Sequence, residues 1–462
     1  MILSKSYGNH RYSEYFDTHL PTHWLEKKLG HLSKENKTAF VDGPFGSDLK
    51  TNDYKDKGIP LIQLNNIRDS KHLLQNMKFI TEAKKQRLIR HVAKPGDVVI
   101  AKMADPVARS AIVSDYYSEY VIVADCVKMS PNLKLVDLHY LIWAINCDFV
   151  RINAELISTG TTRIRIKLSE LKKLKIPFPP RIEQETIANF LDHETAKIDN
   201  LIEKQQLLIK LLKEKRQAVI SHAVTKGLNP DAPMRDSGVE WLGEVPEHWK
   251  VKRIGLLFTE CNARASNGIE LQYPILSISI HHGISDKELN EKELDRKVTR
   301  SEDKSLYKIV HTNDLAYNMM RAWQGGFGAS QREGLVSPAY VVCKPKSSIN
   351  SYYFELVLRM PNAITELKKY SRGITDFRLR LYWDEFKNIR VPVPPENEAN
   401  DILHSIKEIN SKYDNLILVA ERQIKLLKER RTAIISAAVT GKTDVRNWKT
   451  PEQNQPNMEG GL

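Results

Sequence analysis

The chain carries the pentapeptide IPFPP at residues 176–180 and a close copy, VPVPP, at residues 391–395, an offset of 215 (391 − 176). The same offset holds beyond these segments, because IKLLKEKR from Ile209 returns as IKLLKERR from Ile424. A period this long exceeds that of a solenoid, whose repeats are about 20–45 residues long. The sequence therefore predicts a tandem duplication of a whole domain together with the segment that follows it.

The beginnings of the two halves also match, since PTHW at residues 21–24 returns as PEHW at residues 246–249, an offset of 225 (246 − 21). The segments between these markers differ in sequence and in length. The chain therefore reads as a lobe and a long helix, repeated once. We assign residues 1–180 to the first lobe, 181–226 to the first helix, 227–245 to a linker, 246–395 to the second lobe, 396–442 to the second helix and 443–462 to a flexible C-terminal tail.

The two long helices are predicted from an apolar stripe. Residues between Pro180 and Val224 include neither proline nor glycine, and apolar residues alternate at spacings of three and four, which is typical of a heptad seam. A helix of about 40 residues is roughly 60 Å long, and such a stripe needs a partner. The predicted packing positions are Ile187, Leu191, Ile198, Leu201, Leu208, Leu212 and Val219 in the first helix and Ile402, Ile406, Ile409, Tyr413, Leu416, Leu427 and Ile434 in the second.

The other copy is the nearest partner for each helix, and the pair can be parallel or antiparallel. We expect the antiparallel form, a long two-helix coiled coil that relates the halves by a pseudo-two-fold axis and separates the lobes. The alternative is a helix pair inside one compact domain. The length of the stripe and the charged outer faces, with Lys204, Lys210 and Glu214, favour the coiled coil.

The lobes have the pattern of mixed domains. Short apolar runs bounded by turn signals predict strands at residues 59–64, 97–101, 111–113 and 120–124, followed by a helix from Asp137 to Ile157. The second lobe repeats this order, with strands at residues 313–317 and 339–342 and a helix that begins at Tyr352. The fold class is therefore α+β, with two globular α/β-mixed lobes.

Composition limits the class of protein. The 462 residues suffice for two or three domains, and 41% hydrophobic with 27% charged residues is ordinary globular usage. The absence of an apolar run near the ~20 residues of a membrane span, and of a signal-peptide core, predicts a cytoplasmic protein without membrane contact. The net charge of +13 favours a polyanionic partner such as nucleic acid. The widely spaced Cys126, Cys147, Cys261 and Cys343 predict reduced, mostly buried thiols.

Three motifs could suggest chemistry, and each has a plainer interpretation. Residues 440–443, TGKT, resemble the end of a phosphate-binding loop, but Ser436 stands where that motif needs glycine, so we interpret them as a helix stop. Asp97 and Asp314 recur between the lobes as turn residues, and residues 281–282 are a histidine pair without companion ligands. We predict no catalytic residue and no metal site.

The lobe ends resemble those of the specificity subunits of type I restriction-modification systems. In that family a turn with small residues and glycine leads through an Arg-rich strand and a short helix to a Pro-x-Pro-Pro exit. Residues 158–165 running to Pro180 match this order, as do residues 371–380 running to Pro395. Glu183-Gln184 after the first exit also resembles the family, whereas the second copy has Glu396-Asn397-Glu398.

The lobes resemble two different subtypes within that family. GPFGS at residues 43–47 with GIP at 58–60 is similar to one subtype, and NMMRAWQGG at 318–326 with GLVSPAY at 334–340 is similar to another. The resemblance, which covers nearly the whole chain, thus implies two different half-sites.

The resemblance implies a DNA-recognition subunit that does no chemistry itself. Its two target-recognition domains would each read half of an asymmetric bipartite site in double-stranded DNA, and its helices would set the spacer and dock two modification subunits. Those partners would carry adenine methyltransferase activity, and restriction subunits would join the full complex. No cofactor is expected on this chain; S-adenosylmethionine, ATP and magnesium are expected on the partners. The alternative is a coiled-coil scaffold whose lobes bind proteins without DNA specificity.

Candidate DNA contacts combine a basic or amide side chain with a loop or strand end near glycine. Arginine and glutamine can bond guanine and adenine edges, and lysine suits phosphates. The candidates are Lys50, Lys102, Arg109, Thr161, Thr162 and Arg163 in the first lobe and Arg321, Gln324, Arg372, Thr375 and Arg378 in the second. The aligned pairs Arg163/Arg378 and Arg165/Arg380 are equally compatible with a structural role shared by both lobes.

Overall fold

The computed structural model describes residues 6–68, 70–103, 106–160, 164–265, 268, 272–280, 283–285, 304–373 and 379–449. The chain divides into two compact units, residues 1–205 with 422–462 and residues 206–421. Each unit therefore holds one lobe, part of the first long helix and part of the second. None of the helices in these ranges has the length and apolar character needed to cross a membrane.

The first unit contains two four-stranded sheets. Its strands are β1 (His10–Ser13), β2 (Thr18–Pro21), β3 (Leu25–Lys28), β4 (Phe40–Asp42), β5 (Ile59–Ile62), β6 (Ile67–Arg68), β7 (Lys71–His72), β8 (Lys78–Ile80), β9 (Val92–Ala93), β10 (Val98–Ala101), β11 (Ser110–Ile112), β12 (Tyr120–Ile122), β13 (Cys126–Met129) and β14 (Lys175–Phe178). One sheet has the order β11-β10-β13-β4 and is antiparallel; the other has the order β8-β5-β12-β9, in which β5 and β12 are parallel.

The helices of the first unit are α1 (Glu82–Arg87), α2 (Leu138–Asn146), α3 (Asp148–Leu156), α4 (Leu168–Lys173) and the first part of α5 (Arg181–Lys226). The main core joins α2, α3 and the sheet that contains β10, with Trp24 and Tyr140 fully buried within it. A second cluster fills the space between the two sheets around Val99 and Ile122.

The single helix predicted from Asp137 to Ile157 is wrong, because Cys147 interrupts it in an extended conformation (φ −65°, ψ 138°). Asn146, the last residue of α2, accepts a hydrogen bond from the Ser110 amide (2.9 Å) and donates one to the Ser110 carbonyl (3.0 Å). The break thus coincides with the point where α2 is tied to strand β11. Sequence periodicity did not reveal this tertiary contact.

In its described residues the second unit repeats the plan around one four-stranded sheet. Its strands are β15 (Met234–Asp236), β16 (Glu244–Pro246), β17 (Lys250–Arg253), β18 (Phe258–Cys261), β19 (Ser277–Ser279), β20 (Gly283–Ser285), β21 (Lys308–Val310), β22 (Leu315–Asn318), β23 (Phe327–Ala329), β24 (Gly334–Val336), β25 (Tyr340–Pro345) and β26 (Arg390–Val393). The sheet has the order β18-β25-β22-β23 and is antiparallel.

The helices of the second unit are α6 (Ile254–Leu257), α7 (Ser351–Leu358), α8 (Pro361–Tyr370), α9 (Trp383–Phe386) and the first part of α10 (Glu396–Val439), together with the last part of α5. The segment 227–245, predicted as a linker, is part of this unit, because β15 pairs with β16 and both Trp241 and Leu242 are buried in the core.

The predicted duplication appears in equivalent strand pairs. β3 pairs with β14 in the first unit, and β17 pairs with β26 in the second, each antiparallel. The Trp24 indole donates a hydrogen bond to Glu183 (3.0 Å), and the Trp249 indole donates one to Glu398 (2.9 Å). Glu398 is therefore the counterpart of Glu183, and Ala399 stands where the first copy has Gln184.

Both long helices end in the way the sequence predicted. Gly227 follows α5 with φ of +76°, and Gly441 follows α10 with φ of +70°, both in the left-handed region that favours glycine. Thr440 at this end donates a hydrogen bond to the Ser436 carbonyl (2.7 Å). The interpretation of TGKT as a helix stop is therefore confirmed.

Within each unit an ion pair joins the long helices. Arg431 binds Asp199 at 2.9 Å in the first unit, and Arg216 binds Asp414 at 2.6 Å in the second. Among the predicted packing residues, Leu191, Ile198, Ile406 and Tyr413 are buried and Leu212 and Leu427 are half-buried.

The packing prediction fails at Leu201, Leu208 and Leu416, whose side chains are 43–47% exposed. Ile417, which is only 8% exposed, is buried in place of Leu416. The reason is geometric: a strict 3.5-residue repeat drifts relative to a helix of 3.6 residues per turn, so the contact line moves to the adjacent position.

The tail predicted to be flexible from residue 443 is partly packed. Val445 is buried, and the Trp448 ring lies edge-on to Phe190 with centroids 5.7 Å apart. The Arg446 guanidinium lies 4.7 Å from the centre of the Tyr7 ring. These contacts attach the segment to the first unit; residues 450–462 lie outside the described residues.

Candidate nucleic-acid interface

Three strand ends meet at one edge of the β11-β10-β13-β4 sheet. Asp42 ends β4, Lys102 follows β10 and Asp125 precedes β13. The Lys102 ammonium lies 3.0 Å from the Asp42 carboxylate, and its backbone amide donates a hydrogen bond to the Asp125 carbonyl (2.9 Å). This edge therefore holds Lys102, one of the predicted DNA contacts, in a fixed position, with its side chain 11% exposed and paired with Asp42.

The Arg-rich segment of the first lobe lies beside the same edge. Arg165 and Thr159 exchange two backbone hydrogen bonds of 2.9 and 3.0 Å, and the Ile166 amide donates to the Lys102 carbonyl (2.9 Å). The Arg165 side chain forms an ion pair with Asp125. The structure thus brings Lys102 and Arg165 together, while Thr161, Thr162 and Arg163 lie outside the described residues.

Phe45 is a candidate that we did not predict from the sequence. It lies between Gly43 and Gly46 in the segment after β4, and its ring is 81% exposed. Gly43 is required there, because a Cβ atom would overlap the Val123 carbonyl. An exposed aromatic ring beside this edge is a group that can stack on bases or wedge between them. The signal in the sequence was an aromatic residue between two glycines.

Two predicted contacts of the first lobe lie elsewhere. Arg109 is only 5% exposed and donates hydrogen bonds to the carbonyls of Ile67 (2.8 Å) and Leu64 (3.0 Å). We therefore correct its assignment: it holds two loops of the lobe together, and we leave it out of the interface. Lys50 is exposed in the segment after β4.

In the second lobe the candidates lie on the turn after β22 and on the Arg-rich segment. The Arg321 guanidinium donates a hydrogen bond to the Gln324 side-chain carbonyl (2.8 Å). Arg372 and Arg380 exchange backbone hydrogen bonds of 2.9 Å, and the Arg372 side chain pairs with Glu385. Thr375 and Arg378 lie outside the described residues.

In both lobes the same backbone hydrogen bond joins the Arg-rich segment to the residue after a central strand, β10 or β22. We call this shared arrangement the backbone frame. The Leu381 amide donates to the Met319 carbonyl (3.0 Å), as the Ile166 amide does to the Lys102 carbonyl. Arg165 and Arg380 hold the same place in this frame, which favours the structural role considered for that pair. The side chain after the strand differs, however, since Lys102 corresponds to Met319.

The recurring aspartates are turn residues, as predicted. Asp97 accepts a hydrogen bond from the Lys94 amide (2.9 Å), and Asp314 accepts one from the His311 amide (2.8 Å). Burial raises the pKa of the Asp314 carboxyl. Each side chain closes the turn that precedes a central strand, β10 or β22.

The thiols near this frame are kept protonated. Burial raises the pKa of Cys126 to about 12 and that of Cys147 to about 11. All four cysteines are free, and the burial of Cys126, Cys147 and Cys343 confirms the prediction of mostly buried thiols. Within the described ranges no cluster of three or more His, Cys, Asp or Glu side chains could hold a metal ion.

Comparison with known proteins agrees with this geometry. The family model described as "Type I restriction modification DNA specificity domain" matches residues 46–211. The putative type I restriction enzyme MjaX specificity subunit of Methanocaldococcus jannaschii is 22% identical over 85% of this chain and 89% of its own length. The EcoKI specificity subunit of Escherichia coli K12 is 23% identical over 93% of this chain and 91% of its own length. The chain is thus similar to type I restriction enzyme specificity subunits over most of its length.

A solved structure shares this fold. A chain from a type I restriction-modification system superimposes with a TM-score of 0.62 at 16% identity, covering 91% of this chain and 99% of that one. At this level of identity the likeness concerns the fold.

Proposed function

We propose that this chain is the DNA sequence-recognition subunit of a type I restriction-modification complex, and that each lobe reads one half of an asymmetric bipartite target. The observation that carries this proposal is a common backbone frame that presents different side chains. Lys102 and Phe45 belong to the first lobe, and Arg321 and Gln324 belong to the second. Two lobes that bind unlike half-sites need different side chains at their interfaces, because base edges are distinguished by the side chains that face them.

The long helices would set the distance between the half-sites. The pairs Asp199–Arg431 and Arg216–Asp414 are equivalent under the repeat offset. From one to the other, the contact moves 17 residues forward on α5 (216 − 199) and 17 backward on α10 (431 − 414). This supports a single antiparallel coiled coil with a lobe at each end. A rod of fixed length would accept half-sites at one separation only.

Exposed apolar residues on these helices would dock two modification subunits. Leu201 and Leu211 of α5 are 47% and 51% exposed, and Leu416 and Leu426 of α10, at the same positions in the repeat, are 43% and 52% exposed. Exposed leucines at equivalent positions suit two copies of one partner. Methylation and cleavage would then belong to the modification and restriction subunits, which would also carry S-adenosylmethionine, ATP and magnesium.

Reconstitution with the modification subunit tests this proposal. The chain is mixed with that subunit, S-adenosylmethionine and genomic DNA, and methylated adenines are mapped by sequencing. We expect two unlike sequence blocks separated by a spacer of constant length. Methylation without a bipartite pattern would contradict the proposal. DNA affinity should also fall with salt, with a log-log slope of about −0.9 for each phosphate contact.

A further inference from the structure

The two halves differ where each long helix begins. In the first unit, Gln184 is fully buried and its side chain forms two hydrogen bonds. Its carbonyl accepts a bond from the Asp137 amide (2.8 Å), and its NH2 group donates one to the Pro179 carbonyl (2.9 Å). The amide thus connects the residue before α2 with the exit from β14.

The second unit has the same backbone without this side chain. The Ala399 amide donates to the Pro395 carbonyl (2.9 Å), as the Gln184 amide does to the Pro180 carbonyl (3.0 Å). Ala399 therefore starts α10 as Gln184 starts α5, at the repeat offset of 215 (399 − 184). Its methyl group cannot replace the two hydrogen bonds.

A cavity of about 170 Å³ occupies the corresponding space of the second unit. It is lined by the segment before α7, by the end of β26 and by the start of α10, including Asn350, Tyr353, Val393, Pro394, Glu396 and Ala399. Since one water takes about 30 Å³ of liquid volume, the cavity has room for about five to six waters. A glutamine side chain fits in this space.

The residues that line the cavity include Asn350 and Pro394. The Asn350 amide and the Pro394 carbonyl correspond to the two groups that Gln184 binds in the first unit. Neither forms a hydrogen bond to another group in the described part of the chain. A primary carboxamide is complementary to both, because it carries an acceptor and a donor on one carbon.

The charge at the mouth of the cavity is reversed between the units. In the first unit, Arg181 donates a hydrogen bond to the Leu133 carbonyl (2.9 Å) and lies 3.5 Å from Asp137. In the second unit the exposed Glu396 stands at this position. In the first unit the corresponding space is therefore closed by Arg181 and Gln184, which lie three residues apart on α5. The second lacks both groups and carries a carboxylate that would attract a cation.

We propose that this cavity binds the carboxamide of a glutamine or asparagine side chain from a docked modification subunit, with a basic residue of the same segment pairing with Glu396. The partner thus supplies to the second unit what Arg181 and Gln184 supply to the first. The carboxamide chemistry stands on the cavity alone, and the choice of partner rests on the proposed function.

Titration with propionamide, the isolated glutamine side-chain group, tests the chemistry. The full chain is labelled with 15N, and the Asn350 amide resonance is followed. We expect a saturable shift in the millimolar range, lost in Ala399→Gln, which fills the cavity from within. Propionate should not bind, because it lacks the NH donor and is repelled by Glu396. If Ala399→Gln misfolds, Ala399→Leu fills the same space.

A matched variant in the first unit serves as the control. Gln184→Ala should open an equivalent cavity, and propionamide should then also shift the Asp137 amide resonance. The proposal is overturned if no saturable shift occurs, if Ala399→Gln leaves the shift unchanged, or if propionate binds equally well.

Assembly with the modification subunit tests the choice of partner. We expect Ala399→Gln to weaken assembly at least tenfold relative to Ala399→Ser, which leaves the cavity open. Equal affinities would overturn this part of the proposal. The methylation pattern of the unmodified chain, measured in the same preparations, reports separately on the proposed function.

Discussion

His72 lies at the end of β7 with an incomplete set of hydrogen bonds. Its Nδ1 accepts a bond from the Ser114 amide (3.1 Å), so Nε2 carries the proton. Nε2 is buried and has no hydrogen-bond partner among the described residues. The ring packs edge-on against Tyr120, with centroids 4.9 Å apart. A charged imidazole has no compensation in this position, and burial lowers the pKa of His72 to about 4.

Acidification should therefore destabilise the first lobe through His72. Below pH 6.5 His72 takes up a proton in the unfolded chain, whereas in the folded chain it does so only near pH 4. The free energy of unfolding is therefore highest above pH 6.5 and decreases as the pH falls from 6.5 to 4. We expect a loss of about 1–2 kcal/mol between pH 7 and pH 5. Urea unfolding of the wild type and of His72→Gln at both pH values measures it. Identical pH dependence in the two proteins would contradict the assignment.

Glu183 and Glu398 provide a matched comparison at equivalent positions. Glu183 accepts hydrogen bonds from Tyr7 (2.9 Å) and Trp24 (3.0 Å), whereas Glu398 accepts one from Trp249 (2.9 Å). Each carboxylate also forms an ion pair with the histidine that precedes the tryptophan in sequence, Glu183 with His23 and Glu398 with His248.

We expect Glu183→Ala to cost about 2–3 kcal/mol and Glu398→Ala about 1–2 kcal/mol, because the first change leaves two buried donors unsatisfied and the second leaves one. Hydrogen exchange, read separately in the two units, measures both values. The matched Glu183→Gln keeps one acceptor and should lose less. A larger loss for Glu398→Ala than for Glu183→Ala would contradict this explanation.

At the scale of secondary-structure elements, the long helices were predictable and their contact lines were less so. The absence of proline and glycine predicted helix over residues 181–226, and the structure has α5 at Arg181–Lys226. The choice between Leu416 and Ile417 was not predictable, because adjacent aliphatic residues have equal apolar character and only the helical drift separates them. Arg109 was misassigned because its partners, the Leu64 and Ile67 carbonyls, are distant in sequence.

The ion pair Asp199–Arg431 should contribute to helix pairing in the first unit. Its side chains are 43% and 28% exposed, so a large contribution is not expected. Asp199→Arg places two arginines together and should cost about 1 kcal/mol, and the double variant Asp199→Arg with Arg431→Asp should recover at least half of that loss. Chemical unfolding of the wild type, both single variants and the double variant measures the coupling. Additive losses would show that the pair does not interact in solution.

At the scale of the whole molecule, the proposed antiparallel coiled coil makes target spacing depend on helix length. Gln205 lies six residues after Asp199, opposite Lys425, which lies six residues before Arg431, if the pairing continues between the two ion pairs. Insertion of seven residues after each of these positions preserves the phase of the seam. It lengthens the rod by about 10 Å, since each residue adds about 1.5 Å.

We expect this double insertion to abolish methylation at the original spacing, and sites that remain methylated should have a spacer about 3 base pairs longer, at about 3.4 Å per base pair. An insertion in α5 alone should abolish specific methylation, because it puts the ion pairs and the seam out of register. Seven residues added after Lys449, beyond the packed part of the tail, should leave the spacing unchanged. Methylation mapping of the three variants decides the matter: an unchanged spacer after the double insertion would mean that the helices do not set the distance between the half-sites.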